Sequence, residues 1–300
     1  MIGYIGLTLI AAVGFATANV VDKLVMTGHV DSPAVKIAWY GLLAPVAASP
    51  AFLLGTVGMP SVYVIGGAFV AAVCFLASLG LVMWAMRTGE VSRIALLKKT
   101  GPLFVLTLSI LLLGDVLTTR QYLGVGVLFL AGMVATLDHP AEGLPSVAFN
   151  RPAMLILAGN LLYAFNLVTL KHLFRFADYW TVFYWQQIGM FLLAVGLLAV
   201  RGLIRGKVAA AARKPRTLGM LGLSSTVMVG ASLVYAAAID QVSPAIVSAI
   251  NSINPLFTLV FVIGLQRLGI DRFEEHLTRT EIVAKTFATA LFVAGIYLVN

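Results

Sequence analysis

Lys98 and Lys99 stand side by side inside the otherwise apolar stretch 91–113, just before Thr100-Gly101-Pro102. At ~1.5 Å of rise per residue they lie on the order of 10 Å below the start of a helix laid over that stretch. A charged residue near the centre of a membrane helix costs roughly 2.5–3.5 kcal/mol to insert, so two in succession are expected to have work to do. Ammonium groups in a low-dielectric pocket pair with a carboxylate or a phosphate. Their long stems also allow a second reading, in which both heads snorkel to the lipid headgroups. Neighbours on a helix point about 100° apart and do not share a direction, so at least one of the two is expected to face the interior.

Further polar groups recur at depth in apolar stretches. Asn19 lies in the first and Tyr163 and Asn166 in the sixth. Asn251 precedes Pro255 by the same four residues that separate Lys98 from Pro102. Trp84 and Tyr235 fall at what look like corresponding places in the third and eighth stretches, with Ser78 and Ser232 slightly earlier. Asn19, Trp84, Lys98, Lys99, Tyr163, Asn166, Tyr235 and Asn251 are the candidate substrate-binding residues. Aromatic belts and helix packing are the competing reading for Trp84 and Tyr235. Trp185-Gln186-Gln187 forms a polar step in the seventh stretch, equally open to packing. Asp22, Lys23 and Lys171 read as helix-end residues at the membrane interface. Asp22, Glu90, Asp115, Asp240 and Glu281 all fall near predicted helix ends, so no intramembrane acid is available as a cation or proton site. No His or Cys grouping suggests a metal, no Ser-His-Asp set shares a plausible site, and no glycine run fits a phosphate-cradling loop. Neither enzymatic chemistry nor a cofactor is expected.

The elements that position these residues follow from composition. Of the 300 residues, 60% are hydrophobic and 11% charged, where a soluble domain carries roughly 25% charged; the mean hydropathy is +0.99. Each membrane crossing takes about 20 apolar residues to span about 30 Å of hydrocarbon. The predicted spans are 3–24, 34–55, 62–86, 91–113, 120–137, 152–174, 179–201, 216–239, 242–265 and 279–299. Asp31-Ser32-Pro33, Gly58-Met59-Pro60, Gly89-Glu90, Asp138-His139-Pro140 and Arg213-Lys214-Pro215 punctuate them. The runs are continuously apolar, without the period-two alternation of an outer-membrane barrel. Recurrent Gly and Ala let helix backbones approach closely. The net charge of +8 collects in loops beside apolar segments, which reads as topology and contact with the lipid bilayer rather than nucleic acid. Cys74 is the only cysteine, so no intrachain disulfide forms. The first segment lacks a basic n-region and a clear cleavage site and is read as a retained helix.

An internal repeat organises the spans. Leu97-Lys98-Lys99-Thr100-Gly101-Pro102-Leu103-Phe104 lines up with Ile250-Asn251-Ser252-Ile253-Asn254-Pro255-Leu256-Phe257, and Phe129-Leu130-Ala131-Gly132-Met133 with Phe292-Val293-Ala294-Gly295-Ile296. The expected fold is an all-α membrane protein of ten transmembrane helices in two five-helix repeats, 1–140 and 150–300. Five is odd, so the second repeat runs inverted, the arrangement that places a shared site at the membrane midplane.

Tyr235-Ala236-Ala237-Ala238, Val242-Ser243-Pro244-Ala245 and Ile253-Asn254-Pro255-Leu256-Phe257 resemble the third-to-fourth-helix signature of the EamA type of the drug/metabolite transporter superfamily. Trp84-Ala85-Met86, Val91-Ser92, Gly101-Pro102-Leu103-Phe104 and Leu113-Gly114-Asp115 repeat it less cleanly. The resemblance implies a five-plus-five fold around a central cavity lined by helices 1, 3, 4, 6, 8 and 9, carrying metabolites, amino acids, nucleotide sugars or phosphorylated sugars in different branches. Phosphate-sugar translocators of the superfamily are similar in having a lysine four residues before the fourth-helix proline. They also carry a Lys-Arg pair in the ninth helix, where this chain has Asn251 and Ser252. The expectation is a secondary transporter of a small anionic or zwitterionic metabolite working by alternating access, with a proton or counter-substrate as possible coupling partner, as monomer or homodimer. An exporter of amino acids or hydrophobic metabolites with structural lysines, and a non-transporting membrane or lipid-handling subunit, are the alternatives. Lys and Arg concentrate on the odd-numbered loops, so the positive-inside rule places both termini outside the cytoplasm of an inner membrane.

Overall fold

The computed structural model describes residues 3–28, 33–54, 57–88, 97–136, 151–200, 202–267 and 279–300. The turn signals at 31–32, 89–90 and 138–140 and the Val91-Ser92 motif lie outside the described residues. Among the described residues every regular element is helical. In chain order these are α1 (Tyr4–Gly28), α2 (Pro33–Leu54), α3 (Val62–Thr88), α4 (Gly101–Leu108), α5 (Thr119–Thr136), α6 (Arg151–Leu173) and α7 (Tyr179–Val200). They continue as the short α8 (Gly202–Ala212), then α9 (Pro215–Gln241), α10 (Pro244–Asn251), α11 (Asn254–Arg267) and α12 (Arg279–Val299). Among the described residues, seven helices are long and apolar enough to cross a membrane: α1, α3, α6, α7, α9, the α10–α11 run and α12. Gly101–Leu113 forms a shorter apolar helix, and α2 and α5 occupy the predicted second and fifth spans.

The backbone explains the apolar runs. Each helix satisfies its own N–H and C=O groups, which a hydrocarbon environment demands. Outward faces carry apolar side chains such as Leu111, Leu123 and Val293, respectively 70%, 62% and 66% exposed, as lipid contact requires. Inward faces are small. Gly41 of α2 lies so close to α7 that a Cβ there would come within 2.7 Å of the Met190 carbonyl oxygen. Gly132 of α5 packs against the junction of α10 and α11, with Ser252 Cβ only 2.8 Å from where its own Cβ would stand.

Helix α1 packs along α9 and α3 along α6, while α2 pairs with α7 and α5 with α12. Further contacts join α3 to α7, α2 to α9, α4 to α6, α1 to α10 and α11, and α4 to α10. One apolar cluster lies between α5, α10 and α12 around Leu128, Ile246, Ile250 and Phe292. A second joins α1, α4, α6, α9 and α10 through Ala11, Val105, Leu167, Ile239 and Val247.

Helix α4 ends in a single π-helical turn, Ser109–Leu113, closed by Gly114 in the left-handed conformation at φ 69°. Only glycine takes that conformation without penalty. The turn swings Asp115 toward the start of α10.

Candidate functional site

Two interrupted helices frame the site. Leu97 and Lys98 are helical, Lys99 and Thr100 form a turn, and the helix resumes at Gly101. Ile250 and Asn251 are helical, Ser252 and Ile253 form a turn, and the helix resumes at Asn254. The hydrogen bonds of the two interruptions match. Thr100 N donates to Leu97 O (3.0 Å) and Leu103 N to Thr100 O (3.0 Å); Ile253 N donates to Ile250 O (3.2 Å) and Leu256 N to Ile253 O (2.9 Å). Proline is the local cause. It has no N–H and clashes with the carbonyl four residues back, so Pro102 and Pro255 fit only near the start of a fresh helical segment.

Asparagines tie each interruption to a neighbour. Asn160 of α6 donates through Nδ2 to Leu97 O and to Thr100 Oγ1, both at 3.0 Å. At the other interruption Asn254 donates to Ala12 O of α1 at 3.1 Å and accepts from Asn19 Nδ2 at 3.2 Å. Interhelical amides of this kind replace backbone partners that the broken helices give up.

A cavity of about 270 Å³ lies between the interruptions. Its walls are partly apolar, from Phe15, Phe75, Phe183, Met190 and Met228, and partly polar. Seven of the eight candidate residues line it: Asn19, Lys98, Lys99, Tyr163, Asn166, Tyr235 and Asn251. Trp84 does not. It is 58% exposed on the outside of α3, because the cavity face of that helix runs through Phe75, Ser78 and Val82 and a further two residues turn a helix about 200°. Its alignment with Tyr235 is off by two positions. Tyr235 and Val82 each stand 20 residues before their proline, and both line the cavity.

Both lysines line the cavity, where at least one was expected. The 100° argument presumes a continuous helix, and the turn at Lys99-Thr100 breaks it. Lys98 is exposed and lines the cavity. Among the described residues neither lysine has an ion-pair partner. Lys98 does feel the charges of Asp22 and Lys36, which are paired with each other, Asp22 also accepting from Ser224.

Asp22 itself corrects the sequence reading. Helix α1 continues to Gly28, so Asp22 is not at its end, and it is 8% exposed. Lys171 does act at a helix end. Its ammonium donates to the Ile239 and Asp240 carbonyls (2.8 and 2.9 Å) that close α9. At the same level Arg175 donates to Leu113 O (3.3 Å) and Ser243 to Asp115 Oδ2 (2.5 Å). With the apolar cluster of Val105, Leu167, Ile239 and Val247 above them, these bonds close that end of the molecule.

Sequence reasoning left Gln186 and Gln187 undecided, and both line the cavity. Gln186 donates to Asn166 Oδ1 at 2.6 Å. The signal was two adjacent amides in an apolar run; Trp185 beside them instead donates to Gly58 O at 3.3 Å. Ser78, in the same wall, donates to Gly159 O at 2.7 Å. Among the described residues no group of His, Cys, Asp and Glu is placed to hold a metal ion.

A bundle of apolar helices around a half-polar cavity defines a multi-pass membrane protein. Residues 1–137 match the model of the EamA-like transporter family, part of the drug/metabolite transporter superfamily, the family that the motif around Pro102, within the match, and the motif around Pro255, outside it, resemble. The match covers the first half of the chain and suggests a membrane transporter of the drug/metabolite type. No curated protein matches it. Solved structures do: 28 chains are similar. One, described only as a crystal structure of a protein, superposes with a TM-score of 0.64 over 98% of this chain and 95% of its own, at 14% identity. That likeness shows a shared fold and nothing about substrate.

Proposed function

We propose that the protein is a secondary active transporter of a small anionic or zwitterionic metabolite, held in the cavity between Lys98, Lys99 and the amides of Asn19, Asn166 and Asn251. The observation that carries the reading is the pair of adjacent ammonium groups on the cavity wall, neither with an ion-pair partner among the described residues. A buried charge without a partner is costly, and a substrate carboxylate or phosphate supplies the partner. The aromatic and methionine walls accommodate an apolar body.

The mechanism follows from the two halves, 1–140 and 150–300, read as inverted five-helix repeats that make ten crossings. Exchanging α1 through α5 for α6, α7, α9, α10–α11 and α12 preserves the main helix pairs: α1 on α9 becomes α6 on α3, and α4 on α6 becomes α10–α11 on α1; the packing of α5 on α10–α11 has no such counterpart among the described residues. The matched helix interruptions obey the same exchange. Interrupted helices meeting at a pseudo-two-fold axis are the device by which inverted repeats build a midplane site. Rocking one half against the other then opens the cavity first on one side and then on the other. In this conformation the side closed by Lys171, Arg175, Asp115 and Ser243 is the far one, and the lysine end reaches water. The positive-inside rule makes the lysine end cytoplasmic and puts both termini outside.

The test is flux. Purified protein is reconstituted into liposomes preloaded with unlabelled anion, and entry of radiolabelled carboxylates, phosphate esters and amino acids is followed. Saturable exchange of at least one anion or zwitterion supports the reading. Exchange confined to organic cations would refute it, as would no exchange by protein shown to be folded.

A further inference from the structure

The cavity has a second pole. Tyr235 is 3% and Gln187 1% exposed, and both line it. The Tyr235 hydroxyl, Gln187 Oε1 and Asn251 Oδ1 are buried and make no hydrogen bond of ordinary geometry, although Tyr163 and Ser248 stand beside Tyr235. Elsewhere in the same wall the polar atoms are partnered: Gln186 with Asn166, Asn160 with Thr100, Asn19 with Asn254. Of the seven buried side-chain groups without a partner among the described residues, these three line the cavity, while those of Trp39, Tyr40, Ser109 and Thr217 lie elsewhere. Two of the three are carbonyl oxygens, which only accept. They call for donors, and none is provided among the described residues.

The closed end gives a ruler, since Leu113, Asp115, Ser243 and Asp240 are bonded there at one level. Tyr235 is 5 residues from Asp240, Asn251 8 from Ser243 and Lys98 15 from Leu113. At ~1.5 Å per residue the acceptors sit about 10 Å from that level and the Lys98 backbone about 20 Å. The cationic and accepting poles are therefore separated along the membrane normal by on the order of 10 Å, with Phe15 packed edge-on against Tyr235 at a centroid distance of 5.6 Å at the accepting pole.

We infer that the substrate is a bipolar molecule: a carboxylate or phosphate at one end and at least two N–H or O–H donors at the end remote from it, the donors going to Gln187 and Asn251 and the Tyr235 hydroxyl completing the set. The inference rests on the cavity being an anion site. It goes further by excluding simple fatty or aryl acids as good substrates, since their far ends would bury both acceptors without a partner. A missing donor opposite a buried acceptor penalises binding far more than a missing methylene does.

Matched probes test it on the full-length protein in detergent. Gluconate and hexanoate share six carbons and one carboxylate and differ in hydroxyls; glycerol 3-phosphate and propyl phosphate form the phosphate pair; sorbitol carries hydroxyls alone. Unfolding temperature is measured against concentration of each. Gluconate or glycerol 3-phosphate is expected to half-saturate at a concentration at least tenfold below its hydroxyl-free partner, and sorbitol to do nothing. Tyr235→Phe and Gln187→Leu should each shrink that ratio at least threefold, weakening the hydroxyl-bearing anion and tightening its hydroxyl-free partner, whose far end no longer strands an acceptor. Should Gln187→Leu fail to fold, Tyr235→Phe, which removes one oxygen, carries the comparison. Equal binding within both pairs overturns the inference and leaves the anion site standing. No binding by any of the four anions overturns the anion site and the inference with it.

Discussion

Replacing Asn160 tests how the first helix interruption is held. Its Nδ2 bridges α6 to Leu97 O and Thr100 Oγ1, both at 3.0 Å, and the residue is 5% exposed, so water does not take over. Two hydrogen bonds at roughly 0.5–1.5 kcal/mol each, plus one stranded acceptor, would give about 2–5 kcal/mol in a soluble protein. Two features lower the figure. Thr100 Oγ1 donates to Leu97 O at 2.8 Å, so that carbonyl keeps a partner, and side-chain bonds between membrane helices average only about 0.6 kcal/mol. Asn160→Ala should therefore destabilise by ~1–2 kcal/mol, and the coupling energy in a cycle with Thr100→Val should be ~0.5–1 kcal/mol. The assay is reversible unfolding in mixed micelles followed by circular dichroism. Asn160→Asp keeps the shape but loses the donor and should be at least as destabilising as Ala. Wild-type stability for Asn160→Asp, or a coupling energy of zero, would refute the reasoning.

Asp22→Asn leaves Lys36 buried and uncompensated, and loss of one partner of such a pair costs about 3–5 kcal/mol; folded yield and unfolding temperature should fall, and Asp22→Asn with Lys36→Met should recover part of the loss. Gly132→Val drives a side chain into Ser252, whose Cβ is already 2.8 Å from a modest Cβ; overpacking of about 1–3 kcal/mol should appear as lower thermal stability. Trp84→Ala removes an outward-facing ring and should leave anion half-saturation unchanged, a tenfold loss placing Trp84 back in the site. A reporter fused after Asn300 and active only in the cytoplasm should be silent; activity there would reverse the assigned orientation.

Much of the architecture is readable in the sequence because hydrocarbon imposes it. Continuous apolar runs have to be helices, and the described helices fall on the predicted spans, except the short α8, which lies in the basic segment between the seventh and eighth. The likeness to the EamA-like family, which the match over residues 1–137 supports, is legible from the few residues around Pro102. Side-chain direction is harder, since it depends on where a helix is continuous. Lys98 and Lys99 share a cavity because of a turn that hydropathy does not register, although Gly101-Pro102 is its cause and was in view. Trp84 was misplaced by a two-residue slip that reverses a helix face. Asp22 looked terminal because the apolar run fades before α1 does; its depth depends on Lys36 and Ser224, which come from two other helices. Gln186 and Gln187 are ambiguous from sequence for the same reason, as a polar step is consistent with either cavity or packing until the facing helix is known.

The central claim is that an anion sits against Lys98 and Lys99, and equilibrium binding of a transported anion to wild type, Lys98→Gln and Lys99→Gln measures it most directly. A charge-assisted hydrogen bond contributes about 1.5–3 kcal/mol, so at least one substitution should weaken binding by roughly 10- to 150-fold, with unfolding temperature in the absence of anion held or raised. Unchanged affinity in both variants, with each folded, would contradict the claim.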